Sequence, residues 1–275
     1  MSGSDGRLVG IWGYPYLDLD AYIDPARVAA VHEEICLGLT TVETSFTGGT
    51  LKWMGIVSPE VAQDPYLDAM EVITHLSQGD YAQLLSLGDD PSLDPAALVR
   101  PAFGDETDHP LTRPQVRLLE YQHGVYFPWK VVYHFVENQR WEDKNLGGGK
   151  GFTASAREHF PRTVALLESL PFREIGRALL FGLQPNDHAP VHRDTAPDPD
   201  APVAHCITLC PGEGKRFFLL SPDRSRRVEP SSRAYWFNDM DWHGVDKDRR
   251  FQYSIRVDGV FEEAFLERLR RDLCR

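Results

Sequence analysis

The second half of the chain alternates short apolar runs with turns rich in proline, glycine and aspartate. Runs of about four to eight residues between such turns are typical of β-strands, whereas helices need longer apolar repeats. This pattern predicts a mainly β protein with helical support, built around an antiparallel jelly-roll. The strands of the jelly-roll are expected at residues 178–183, 191–194, 203–209, 216–220, 234–237 and 251–257.

The first half mixes helical and strand-like patterns. Apolar residues at helical spacing predict helices at 25–37, 58–76, 81–86, 153–170 and 261–273. Strand-like runs predict strands at 8–16, 116–122 and 125–136, and a hairpin from 41–46 and 50–57. We expect residues 1–150 to form an α+β extension that packs on the core and shapes the substrate pocket, and residues 151–275 to form the β core, within one continuous globular unit.

Composition narrows the classes of function. The chain has 275 residues, of which 42% are hydrophobic and 25% charged, as in a globular protein with a filled core. Its formal net charge of −12 argues against nucleic-acid partners, which need a basic surface. No apolar run approaches the ~18 residues of a membrane span, and the first residues do not resemble a signal peptide. We therefore expect a cytoplasmic protein without a membrane partner.

The candidate chemistry lies between His192 and Arg256. In an extended backbone, the imidazole of His192 and the carboxylate of Asp194 point to the same side. His243 follows 49 residues after Asp194, and Arg256 lies 13 residues further on, in the last strand-like run. Two imidazoles and one carboxylate can hold one face of an octahedral Fe(II), and an arginine presents a planar fork to a carboxylate. The competing interpretation is two surface loop residues and a hydrogen-bonded turn histidine.

This ordered set resembles the Fe(II)/2-oxoglutarate-dependent dioxygenases, within them the aspartyl/asparaginyl hydroxylase-like and prolyl hydroxylase-like branches, over roughly residues 172–265. The resemblance implies a double-stranded β-helix of cupin-like form. It implies that His192, Asp194 and His243 are the catalytic metal ligands, and that Arg256 binds the distal carboxylate of 2-oxoglutarate. The implied reaction consumes O2 and 2-oxoglutarate and hydroxylates an amino-acid side chain, free or in a peptide or protein, with ascorbate as an optional reductant.

Two further residues enter the cosubstrate site through the resemblance. Ser254 shares a face of its strand with Arg256 and would add a hydroxyl contact, although the same alternation fits an edge strand with its polar face in water. His205 resembles a histidine that contacts the cosubstrate in aspartyl/asparaginyl hydroxylase-like enzymes; the alternative is a core histidine. The common Arg-x-Ser arrangement is replaced here by Ser254-x-Arg256, which leaves the second cosubstrate contact open.

The glycine-rich segment 145–151 lacks the spacing of a phosphate-binding loop. We expect either a lid over the metal site, with Lys150 meeting the substrate, or an exposed connector. Two other functions stay open: a small-molecule oxygenase of specialised metabolism, and a non-catalytic cupin-like binding module. The substrate is expected to be an amino acid, a peptide or another small molecule, and the oligomeric state is not determined by the sequence.

Overall fold

The computed structural model describes residues 8–48, 55–57, 71–101, 103, 109–137, 144, 146–195, 198, 200–213 and 216–273. Its strands are β1 Tyr16–Asp18, β2 Ile56–Val57, β3 Val125–Tyr126, β4 Val131–His134, β5 Phe172–Leu183, β6 Ala189–His192, β7 Cys206–Leu209, β8 Phe217–Leu220, β9 Arg227–Val228, β10 Ala234–Phe237, β11 Trp242–Val245 and β12 Gln252–Phe261. Its helices are α1 Pro25–Ala30, α2 His32–Gly38, α3 Glu71–His75, α4 Gln78–Ser86, α5 Arg113–His123, α6 Ala154–His159, α7 Pro161–Glu168 and α8 Glu263–Leu273.

Two antiparallel sheets form the core. The large sheet has the order β1-β10-β7-β12-β5-β4, and the small sheet has the order β6-β11-β8-β9. From β5 onward the chain passes repeatedly from one sheet to the other: β5, β7, β10 and β12 lie in the large sheet, and β6, β8, β9 and β11 in the small one. This winding is that of a double-stranded β-helix, so the expected fold class is confirmed. Strands β2 and β3 form a separate small pair.

The two faces of the large sheet have different roles. On β12, Ile255 and Val257 belong to the main apolar core, which also includes Val28 and Ile35 of the N-terminal helices. The opposite face of β12 looks toward the small sheet and is also buried, with Ser254 2% and Arg256 8% exposed. Because β12 lies between β5 and β7, it is not an edge strand. The alternative of a polar face in water is therefore wrong.

The strand predicted at 116–122 is wrong, because this stretch is helix α5. The side chain of Thr112 accepts the N–H of Gln115, and the Gln115 side chain accepts the N–H of Thr112, which forms a capping box. Gly124 ends the helix with a φ of 68°. The strand predicted at 125–136 is two short strands, β3 and β4, with Pro128 between them.

Other predicted elements differ in their boundaries. The helices expected at 25–37 and 153–170 are each two helices; the second pair breaks where Pro161 begins α7, because proline cannot continue a helix. In the run 8–16, Ile11 and Tyr14 form only an isolated bridge. Among the described residues of the predicted hairpin, Ser45 pairs with Val132 and β2 pairs with β3, so these parts do not pair with each other. Residues 49–54 of that hairpin and 58–70 of the helix predicted at 58–76 lie outside the described residues.

The N-terminal half contributes directly to the core. Strands β1 and β4 form the two edges of the large sheet, and β4 pairs with β5 along its full length. A second apolar cluster joins α3, α4 and α5. Among the described residues, no helix is both long and apolar enough to cross a membrane.

Candidate metal centre

The two histidines of the predicted set lie side by side on neighbouring strands of the small sheet. Strands β6 and β11 are neighbours, and their register pairs His192 with His243. The two ring centroids are 4.3 Å apart. Asp194 lies two residues beyond the end of β6, and its N–H donates to the carbonyl of Asp239 at 3.0 Å. One oxygen of Asp194, Oδ1, lies 3.4 Å from His192 Nε2 and 3.3 Å from His243 Nε2.

Backbone carbonyls fix the orientation of both imidazoles. His192 Nδ1 is 2.7 Å from the carbonyl of Pro190, and His243 Nδ1 is 2.9 Å from the carbonyl of Asp241. A carbonyl only accepts, so each Nδ1 carries the proton, and Nε2 of the neutral ring offers its lone pair. Three electron-pair donors, the two Nε2 atoms and a carboxylate oxygen, thus converge within 4.8 Å.

This donor set fits a metal ion. Three acceptors pointing at one another repel, unless a cation lies between them or the rings become protonated. A set of two imidazoles and one carboxylate is the facial arrangement that suits Fe(II) and leaves other coordination positions open. The sequence therefore predicted which residues come together here, and strand pairing is what brings them together.

Arg256 reaches the same centre from β12. Its Nη1 donates to Asp194 Oδ2 at 2.9 Å, so one carboxylate faces the histidines with Oδ1 and the guanidinium with Oδ2. Its Nε donates to Asp258 at 3.0 Å, and its Nη2 donates to Asp239 at 3.2 Å. The guanidinium that was predicted to bind 2-oxoglutarate is thus next to the triad, but each of its three nitrogens already binds an aspartate.

A buried ion pair supports Arg256 from behind. Asp258 is fully buried and accepts from Nε and Nη2 of Arg177 at 2.8 and 2.6 Å. Burial alone would raise the pKa of Asp258, but the charges of Arg177 and Arg256 hold it below its usual value. Because Asp258 also accepts from Arg256, a continuous chain of ion pairs runs from Arg177 to Asp194.

Several residues of this centre were missed by the sequence analysis. Lys144 Nζ lies 3.7 Å from Asp239, and His134 on β4 has a buried Nδ1 that finds no hydrogen-bond partner among the described residues. Burial, and secondly the charge of Arg177, lower the pKa of His134 to about 4. Asp258 had a detectable signal, because it alternates with Arg256 along one strand. Lys144 and Asp239 are outside the strands, where no periodicity marks them.

His205 requires a correction, because it is not part of this centre. Residues of β7 pair with β12 so that Thr208 lies beside Arg256 and Ile207 beside Val257. His205 shares the outer face with Ile207. Its ring stacks on Phe261 at 4.6 Å, and its Nδ1 accepts the N–H of Phe261 at 3.1 Å. Because Arg256 lies on the opposite face of the sheet, His205 does not reach the place expected for the cosubstrate. Ser254, in contrast, lies on the inner face with Arg256.

The glycine-rich segment also differs from the lid that was one of the two expectations. Lys150 Nζ donates to the carbonyl of Gly176 on β5 at 2.9 Å, and the N–H of Gly147 donates to Glu174 at 3.3 Å. The described part of the segment, residues 146–151, is thus docked on β5. The Lys150 ammonium is bonded to the backbone of β5 there.

No protein-family model matches the chain, and no curated protein matches it. Among solved structures, it resembles a 2OG-Fe(II) oxygenase family oxidoreductase from Burkholderia pseudomallei, with 12% identity over 46% of this chain and 66% of that chain, and a TM-score of 0.30. A Pseudomonas putida prolyl-4-hydroxylase matches with 13% identity over 46% and 70%, and a TM-score of 0.28. A viral collagen prolyl hydroxylase from Paramecium Bursaria Chlorella virus-1 matches with 11% identity over 46% and 77%, and a TM-score of 0.27.

Proposed function

We propose that this protein is an Fe(II)- and 2-oxoglutarate-dependent dioxygenase. The observation that carries the proposal is the convergence of His192 Nε2, His243 Nε2 and Asp194 Oδ1, with both Nδ1 atoms committed to carbonyls. These three residues would hold the iron. When bound, iron supplies the activation of O2 that side chains cannot perform.

The charges around the triad support an anionic cosubstrate. Among the described residues, the connected ion pairs contain three cations and three anions, listed as Arg177, Arg256, Lys144, Asp194, Asp239 and Asp258. The cluster is neutral as it stands, with neutral histidines. A divalent metal at the triad, where His243 is buried and Asp194 is exposed, would add two positive charges to this neutral cluster. The 2-oxoglutarate dianion restores the balance.

The chain's own residues then have distinct tasks. Arg256 would bind a carboxylate of 2-oxoglutarate, and Ser254, on the same inner face, would add a hydroxyl contact. The inner face beside them is apolar, with Leu179 and Phe181 buried on β5. These side chains exclude water from the place where substrate and cosubstrate meet, and exclusion of water strengthens the ionic contacts.

The substrate we propose is an amino-acid side chain, free or in a peptide or protein, and the reaction is its hydroxylation. Support comes from the resemblance of the His-x-Asp, distal His and Arg set to the two hydroxylase branches. The carboxylate of Asp194 favours hydroxylation over halogenation, because a halogenating site needs an open position for the halide. A small-molecule substrate of specialised metabolism is the second candidate within the same chemistry.

Iron content tests the metal assignment. His192→Ala, Asp194→Ala and His243→Ala should each abolish Fe(II) binding after anaerobic reconstitution, because each removes a ligand atom while removing little apolar packing. The matched control is His188→Ala, since His188 is exposed and lies just before β6. Iron bound near one equivalent by any triad variant, with the wild-type circular dichroism spectrum, would contradict the assignment.

A further inference from the structure

The carboxylate of Asp239 lies between two cations at the edge of the triad. Its Oδ2 is 3.2 Å from Arg256 Nη2 and 3.7 Å from Lys144 Nζ. The contact with Arg256 is longer than those that Arg256 makes with Asp194, at 2.9 Å, and Asp258, at 3.0 Å. Asp239 therefore makes the longest of the three aspartate contacts with this guanidinium.

The turn that carries Asp239 does not depend on this carboxylate. The side-chain amide of Asn238 donates to the carbonyl of Gly10 at 2.9 Å, and the carboxylate of Asp241 accepts the N–H groups of Val9 and Gly10 at 2.7 Å each. The backbone carbonyl of Asp239 accepts the N–H of Asp194. Neighbouring side chains and the backbone thus fix the turn, and the hydrogen bonds that hold it do not involve the buried Asp239 carboxylate.

The position of Lys144 is set by a glycine of β5. A Cβ at Gly176 would come within 2.2 Å of the carbonyl oxygen of Lys144, so only glycine permits this close approach. The bond from Lys150 Nζ to Gly176 O fastens the following residues to the same strand. The chain is thus held against β5 at the point from which the Lys144 ammonium reaches the triad's edge.

We propose that Lys144 and Arg256 together form the binding site for the distal carboxylate of a short dicarboxylate cosubstrate, and that the Asp239 carboxylate fills this site until the cosubstrate displaces it. This inference rests on the proposed function. One guanidinium links the two places, with Nη1 on the metal-side aspartate Asp194 and Nη2 on the exchangeable Asp239. A ligand with one end at the triad and a carboxylate at the far side of the guanidinium therefore fits. One carboxylate leaves the cations as another arrives, so neither cation stays unpaired.

If Asp239 competes with the cosubstrate, removal of its charge should tighten 2-oxoglutarate binding. Removal of an aspartate with a purely structural role should not. In Asp239→Asn the competing charge is gone, so 2-oxoglutarate should bind about tenfold more tightly, the effect of losing one charge-assisted contact from the free protein. Lys144→Met keeps the aliphatic stem and should weaken binding by a similar factor. Gly176→Ala should act like Lys144→Met, because it pushes the backbone of Lys144 away. The measurement is titration calorimetry of 2-oxoglutarate into Mn(II)-loaded protein, which cannot turn over.

Asp258→Asn is the matched control. This substitution also removes one carboxylate from Arg256. Asp258 lies on the buried side of the guanidinium, where no ligand takes its place, so 2-oxoglutarate binding should not tighten. Unchanged or weaker binding in Asp239→Asn, or unchanged binding in Lys144→Met, overturns the exchange. If the wild type releases succinate from 2-oxoglutarate while Asp239→Asn fails to tighten binding, this inference alone is wrong. If the wild type binds no 2-oxoglutarate, the proposed function and this inference are both wrong.

Discussion

Asp258 holds two arginines in the interior at once. It accepts from Arg177 and Arg256, and all three side chains are at most 10% exposed. Asp258→Ala leaves two buried guanidinium groups with less compensation, so we expect it to lower the free energy of unfolding by about 3–5 kcal/mol. The control is Asp246→Ala, which breaks the surface pair with Arg227 and should cost at most about 1 kcal/mol. Urea unfolding measures both, and a similar small loss in the two variants would contradict this account.

His134 makes the stability of the protein depend on pH. Its pKa is about 4 in the folded chain, against about 6.5 when unfolded. Between these values the unfolded chain binds more protons, so this contribution to stability is complete above about pH 6.5 and is lost as the pH falls toward about 4. From about pH 7 to about pH 5, the wild type should lose roughly 2 kcal/mol more than His134→Gln, which cannot titrate. Parallel losses in urea unfolding would contradict this.

The residues of the triad could be predicted from the sequence, whereas the residues around them could not. His192 and Asp194 are two apart in an extended chain, so local geometry alone places their side chains together. Their meeting with His243 depends on strand pairing, which the motif's order anticipated. Lys144 and Asp239 come from segments without periodicity, and only the close approach at Gly176 and the turn after β10 bring them to Arg256. The cosubstrate role of His205 came from the resemblance, with a core histidine as the alternative, and its alternation with Ile207 did not tell which face of the strand is inward.

At the scale of elements, the segment before α6 should behave as a docked connector. Lys150 and Gly147 are already bonded to β5, so cosubstrate binding has little left to order. Trypsin cleavage after Lys150 should therefore proceed at the same slow rate with and without 2-oxoglutarate and Mn(II). Strong protection of this site from cleavage that appears only with these ligands would instead support the interpretation as a lid.

Helix α5 shows why some elements were misread. Its apolar residues Val116, Leu118 and Leu119 fit a strand about as well as a helix when they are read as a short run. The decisive signals were at the two ends, in the capping box of Thr112 with Gln115 and in Gly124. The jelly-roll strands were easier to predict because turns rich in proline, glycine and aspartate separate them.

At the scale of the whole molecule, the N-terminal half completes the large sheet. Without it, β5 and β10 become open edges, and the outer apolar face loses α1 and α2, including Val28 and Ile35. A fragment of residues 151–275 should therefore be aggregated or lack a cooperative thermal transition, while the full chain unfolds in one transition. Circular dichroism melts of both compare them directly. A soluble fragment with a sharp transition would show that the β core folds alone.

We propose that the triad and Arg256 form an iron- and 2-oxoglutarate-dependent oxidation centre. Its most direct test is the release of succinate from 2-oxoglutarate by the Fe(II)-loaded protein in air, without added substrate, beside Asp194→Ala and Arg256→Ala. We expect slow succinate release that needs both Fe(II) and O2, is abolished in Asp194→Ala, and needs much more 2-oxoglutarate in Arg256→Ala. Fe(II) bound at one equivalent without any succinate would contradict it and favour a binding module.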